Sequence, residues 1–154
     1  MWHSVFIVLH ASAAVVAFGA GCLALRRARL YAAYLWSLLG MAVFLVLAVG
    51  AGWAGYDVVT RIIFSALGGL AGFMVWRGIM AGRVRPTGLG RPSAPYVEHV
   101  GFTLVGLADG FLVVTVLRMG APGWFLAATG VGVAVVGHLV LGAARDRLVA
   151  IPVA

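Results

Sequence analysis

Asp109 stands inside the apolar stretch HVGFTLVGLADGFLVVTVLRMG, which runs from His99 to Gly120, in a chain with only four acidic residues. An Asp-Gly pair such as Asp109–Gly110 would mark a turn in a soluble protein. Within hydrocarbon an aspartate costs about 2.5–3.5 kcal/mol even on the lenient insertion scale, so it requires neutralisation, a partner or a wet cavity. At 1.5 Å of rise per helical residue, His10 falls roughly 3–4 Å outward of the level of Asp109. A His10–Asp109 pair is therefore the expected mid-membrane polar site, with Arg61 above it toward the outer surface and Asp57 one turn before Arg61 as a local counter-charge.

A second group gathers on the other side of the same spans. Glu98 and His99 stand near the start of the expected fourth helix, and His138 in the next apolar run lies roughly 6 Å from His99 in depth. Two histidines on neighbouring helices could hold haem iron axially, and with Glu98 they could hold a metal ion. Haem b is the cofactor this arrangement would take. No serine–histidine–acid set, HExxH motif, Walker loop or dinucleotide fingerprint is legible, so no catalytic residue is assigned. The single Cys22 excludes an internal disulfide and any multi-cysteine metal site.

The elements that must position these residues follow from composition. The chain has 154 residues, of which 64% are hydrophobic and 10% charged, with a mean hydropathy of +1.11. A soluble domain of this size leaves too much surface exposed to hide that apolar content. A bilayer core about 30 Å thick, crossed by about 20 apolar residues in a helix, absorbs it. The expected fold is an all-α integral membrane bundle of five transmembrane helices forming one domain, at about 2–25, 31–53, 58–80, 96–117 and 123–143. A Pro- and Gly-rich cytoplasmic loop spans 81–95.

Charge gives the orientation. All eleven basic residues are arginine and the formal net charge is +7. Arg26, Arg27, Arg29, Arg77, Arg83, Arg85, Arg91, Arg145 and Arg147 fall on one side, leaving Arg61 and Arg118 on the other. The positive-inside rule then places the N-terminus outside and the C-terminus in the cytoplasm of a multi-pass protein of the inner (plasma) membrane. Trp2, Trp53 and Trp124 form an outer aromatic belt, and Tyr31, Trp36, Trp76 and Tyr96 an inner one. The arginines lie between apolar runs and form no basic face that could follow phosphates, which excludes nucleic acid as a partner.

Small residues mark the expected packing seams. Gly106 and Gly110 lie on helix four near Thr103 and His99. Gly68 and Gly72 lie on helix three in line with Arg61 and Ser65. Ala127, Ala134, His138 and Gly142 share a stripe of helix five. The large aliphatic residues of helix two, from Leu38 to Val49, suggest the greatest lipid contact.

Three functions fit. The first is a non-enzymatic accessory or structural membrane subunit, working in a homo-oligomer or larger membrane complex, whose polar residues fix helix register. The second is a small proton-linked transporter or carrier subunit using His10 and Asp109. The third is a haem b or quinone-handling redox protein using His99 and His138.

Overall fold

The structure, a computed structural model, describes residues 2–86 and 91–149. It is all-helical, with five long helices: α1 (Trp2–Ala24), α2 (Tyr31–Gly52), α3 (Val58–Arg83), α4 (Ala94–Arg118) and α5 (Gly123–Val149). Each is long and apolar enough to cross a membrane.

The helix ends show local causes. Asp57 caps α3 by accepting the Thr60 N–H at 2.7 Å, which satisfies one of the donors left free in a first helical turn. Ser93 caps α4 by accepting the Tyr96 N–H at 3.3 Å, and its own hydroxyl donates to the Val84 carbonyl at 3.1 Å. This start lies two residues before the one expected from the sequence. Pro95 was expected to exclude helix, but it occupies the first turn, where no backbone N–H is needed. Residues 87–90 of the expected 81–95 loop lie outside the described residues. Between α4 and α5, Gly120 adopts φ of 75°. Its N–H reaches the Leu117 carbonyl at 3.0 Å and the Ala121 N–H reaches Val116 at 3.4 Å, a Schellman ending that needs the left-handed conformation glycine tolerates. Helix α5 continues past the apolar run, carrying Arg145 and Arg147 in its last turns.

Helices α1, α2, α3 and α4 pack in sequence as neighbours, and α1 closes the ring against α4. Helix α5 packs against α4, and none of its residues is buried. Helix α2, expected to have the greatest lipid contact, is thus not the helix with the fewest buried residues. Its Tyr31, Tyr34, Leu38, Met41 and Ala48 are buried, because one face of a largely aliphatic helix can still fill a core.

That core is concentrated at one end. Ala17 and Ala24 near the close of α1, Tyr31, Tyr34 and Leu38 from the start of α2, Met74 and Ala81 from the latter part of α3, and Tyr96, Val100 and Leu104 from the start of α4 form a single cluster. Gly21 permits it, since a Cβ there would lie 2.8 Å from Leu104 Cδ2 and 3.1 Å from Tyr34 Cδ2. Tyr31 and Tyr96 belong to this core and not to an interfacial belt, because their hydroxyls find acceptors inside the bundle. Trp36 and Trp76 are exposed at this end, and Trp2, Trp53 and Trp124 at the other.

Candidate functional site

Three tyrosines tie the four-helix ring at its packed end. Tyr31 on α2 donates to the Gly78 carbonyl on α3 at 2.9 Å. Tyr96 on α4 donates to the Ala24 carbonyl on α1 at 3.1 Å, an acceptor left free where that helix ends. Tyr34 Oη lies 2.6 Å from Thr103 Oγ1, and Thr103 donates to the Val100 carbonyl at 2.7 Å. The threonine has one hydroxyl proton, so the tyrosine donates between the two. Each acceptor is local and each hydroxyl is satisfied, so the cluster acts as a set of ties between helices. In sequence, Thr103 reads as a member of a glycine seam and Tyr31 and Tyr96 as interfacial aromatics, and Tyr34 carries no mark. The available signal was three tyrosines and a threonine in the halves of otherwise apolar helices that lie toward one end.

His10 belongs to a different pairing from the one expected. Its Nδ1 lies 2.8 Å from the Met41 carbonyl, and His3 Nδ1 lies 2.9 Å from the Ala48 carbonyl. A carbonyl only accepts, so in both rings Nδ1 carries the proton of the bond. Residues 3 and 10 are two turns apart on α1, as 41 and 48 are on antiparallel α2, so one helix register produces both bonds. His10 is thus a strut between α1 and α2.

Asp109 lies elsewhere, on the face of α4 turned toward α5. A Cβ built on Gly130 would sit 3.6 Å from its Oδ1 and 3.9 Å from its Oδ2. The carboxyl therefore occupies the space that a larger residue at 130 would take. Oδ1 is buried and has no hydrogen-bond partner. The structure does not bring His10 and Asp109 together. Counting residues along a helix does not give its rotation, and Asp109 faces Gly130 of α5 while His10 faces Met41 of α2.

Arg61 is a third separate element. Its guanidinium carbon stands 5.5 Å from the centroid of the Trp53 ring, within the range of a cation–π contact. Its Nε is buried without a hydrogen-bond partner. Asp57, which uses its carboxylate to cap α3, forms no ion pair with it among the described residues. The Asp57 pKa is held below its ordinary value, first by the Thr60 hydrogen bonds and then by the charge of Arg61.

At the packed end, Glu98 binds Arg145 of α5 through Oε1 at 3.0 Å, and Arg145 also approaches Asp146 at 3.5 Å. Glu98 is therefore an ion-pair partner rather than a free third ligand beside His99 and His138. Arg77 of α3 donates to the Glu98 backbone carbonyl at 3.3 Å and stands 5.1 Å from the Phe102 ring centroid. Its charge reaches His99, whose Nδ1 is buried and unpartnered. His138 is exposed on α5. Among the described residues no group of three or more His, Cys, Asp or Glu side chains could hold a metal ion.

The glycines divide into two sets. Gly106 meets Met74 of α3, whose sulfur would lie 3.0 Å from an added Cβ, and Gly101 and Gly137 lie directly against Leu141 and Val105 across the α4–α5 seam. Added Cβ atoms at Gly68, Gly72 and Gly110 would meet nothing within 4 Å, so these three do not mark helix contacts. Ala127, Ala134 and His138 likewise lie on the exposed part of α5, and its contact side carries Gly130, Gly137 and Leu141 instead.

No protein-family model matches the chain, and no curated protein or solved structure matches it. The class the fold defines is an all-helical protein with five helices suited to crossing a membrane.

Proposed function

We propose that this protein is a non-enzymatic accessory subunit of a larger membrane assembly. In this reading α1 to α4 form its scaffold and α5 docks a transmembrane helix of another chain. The observation that carries the proposal is the isolation of α5, a 27-residue helix with no buried residue, packed against α4. Helices in lipid associate through close packing and interhelical hydrogen bonds rather than through hydrophobic exclusion. Most of the α5 circumference has neither. It also presents His138, which makes no hydrogen bond among the described residues and is exposed where only hydrocarbon would otherwise surround it. Polar groups at that depth normally face protein or water. The partner is accordingly a helix that offers His138 a hydrogen-bonding group.

The same reading takes the protein to be multi-pass in the inner (plasma) membrane, N-terminus outside, with the tyrosine-tied end at the cytoplasmic face. Nine of the eleven arginines support that orientation. The exposed tryptophans at both ends suit the two interfaces. A proton-linked carrier would need His10 and Asp109 to exchange a proton, and they face different helices.

Extraction in a mild detergent followed by light scattering tests the proposal. The protein is expected to travel with partner chains above the 16.0 kDa of one chain. A monodisperse particle holding a single 16.0 kDa chain would overturn it.

A further inference from the structure

Opposite the packed end, α2 and α3 separate and leave an apolar groove of about 290 Å³. Leu45 and Val49 of α2, with Trp53 just past its end, form one wall, and Phe64, Ser65 and Gly68 of α3 form the other. The groove exists because Gly50 and Gly68 present no side chain there, and a Cβ on either would meet nothing within 4 Å. Arg61 continues the α3 stripe, four residues before Ser65 and seven before Gly68, so it stands at the mouth. Trp53, which ends the α2 wall, holds the guanidinium there through the ring contact.

We infer that this groove binds an anionic glycerophospholipid, with the phosphate on Arg61 and one acyl chain between α2 and α3. The wall is apolar apart from Ser65, so in a bilayer hydrocarbon fills it at no desolvation cost. Arg61 lies in the first turn of α3, at headgroup depth. Ser65 lies about 6 Å deeper and Gly68 about 10 Å deeper by helical rise. That sequence of cation, hydroxyl and apolar slot follows the order of phosphate, ester and acyl chain in the lipid. Ser65 makes no hydrogen bond among the described residues, whereas Ser37, Thr115 and Thr129 each bond a carbonyl in their own helix. It is free to donate to an ester carbonyl. Arg61 has a buried, unpartnered Nε, and Asp57, the acid nearest in sequence, is engaged by the Thr60 N–H. A guanidinium fork suits phosphate oxygens, and its charge favours an anionic headgroup over a zwitterionic one.

Native mass spectrometry of the full chain, in detergent containing equal phosphatidylglycerol and phosphatidylcholine, tests the inference. Phosphatidylglycerol is expected to be retained in preference. Arg61→Gln should lower that retention about tenfold, the change that accompanies loss of one charge-assisted hydrogen bond. Gly68→Leu fills the slot without displacing a neighbour and should release both lipids. Arg118→Gln, at the same end but exposed and outside the groove, should leave retention unchanged. Equal retention of the two lipids by the wild type would overturn the inference. So would full retention by Arg61→Gln or Gly68→Leu, an equal loss in Arg118→Gln, or displacement of the lipid by inorganic phosphate alone.

Discussion

Helices α4 and α5 are close in length, 25 and 27 residues, and joined by a tight turn, yet they are held in different ways. Helix α4 contributes seven buried residues, including Tyr96, Val100 and Thr103, and touches α1, α3 and α5. Helix α5 contributes none and rests on one neighbour. The α1–α4 ring is crossed by hydroxyl-to-backbone ties whose donors and acceptors all lie within it. The α4–α5 seam combines glycines that admit Leu141 and Val105 with one ion pair and a carboxyl oxygen that finds no donor. Four helices therefore close a ring among themselves, and the fifth is held through its seam with α4.

Matched glycine substitutions should separate the two regions with the largest effect. Gly21→Leu would drive a side chain into Tyr34 and Leu104, and overpacking of this kind costs about 1–3 kcal/mol. Thermal unfolding followed by tryptophan fluorescence should show the whole ring weakened. Gly137→Leu, which meets Val105, should instead raise hydrogen exchange in α5 while α1 to α4 keep their protection. If both variants loosen the same amides, the distinction between ring and appended helix is broken.

Tyr34→Phe should have a smaller effect. It removes one interhelical bond but leaves the Thr103 hydroxyl on the Val100 carbonyl, and such bonds in membranes contribute about 0.6 kcal/mol on average. The loss should appear in ring stability and not in α5 exchange. Glu98→Gln should do the reverse. Its ion pair with Arg145 is about half exposed, at 47% and 46%, and pairs of that kind contribute about 0–1 kcal/mol and weaken with salt. Exchange in α5 should rise slightly in the variant, and added salt should bring the wild type toward it.

The smallest effect concerns the first turn of α3. The folded pKa of Asp57 lies below its ordinary value, so its cap stabilises the fold at pH above the unfolded value of about 3.9. That contribution is lost as pH falls through the lower folded value. An acid titration followed by NMR should shift the Thr60 amide below the usual aspartate range in the wild type, with no matching step in Asp57→Asn. A midpoint at the ordinary aspartate value would show that the cap does not hold the carboxylate.

The five spans were legible because each is a continuous apolar run of bilayer length, and the turns between them carry Arg, Gly or Pro. The helix ends were less legible. Ser93 and Pro95 form a capped first turn that composition alone marks as loop, and arginine does not stop α5. Counting residues gives position along each helix, and on that count His10 and Asp109 are expected near one level. Rotation was not legible, because apolar faces turned to lipid and to protein look alike in sequence. His10 therefore turned to the Met41 carbonyl, Asp109 to Gly130, and Gly68 to an open groove. Tyr31 and Tyr96 resemble interfacial anchors for the same reason, since a phenol serves a headgroup or a buried carbonyl equally well.

The central claim is that α5 is a docking helix and the ring is not. Photo-crosslinking in native membranes tests it most directly, using Leu139 on α5 and Val15 on α1, which are matched in exposure at 66% and 67%. The account predicts a defined adduct with another protein chain from position 139 and lipid adducts alone from position 15. Protein adducts from both positions, or from neither, would contradict it.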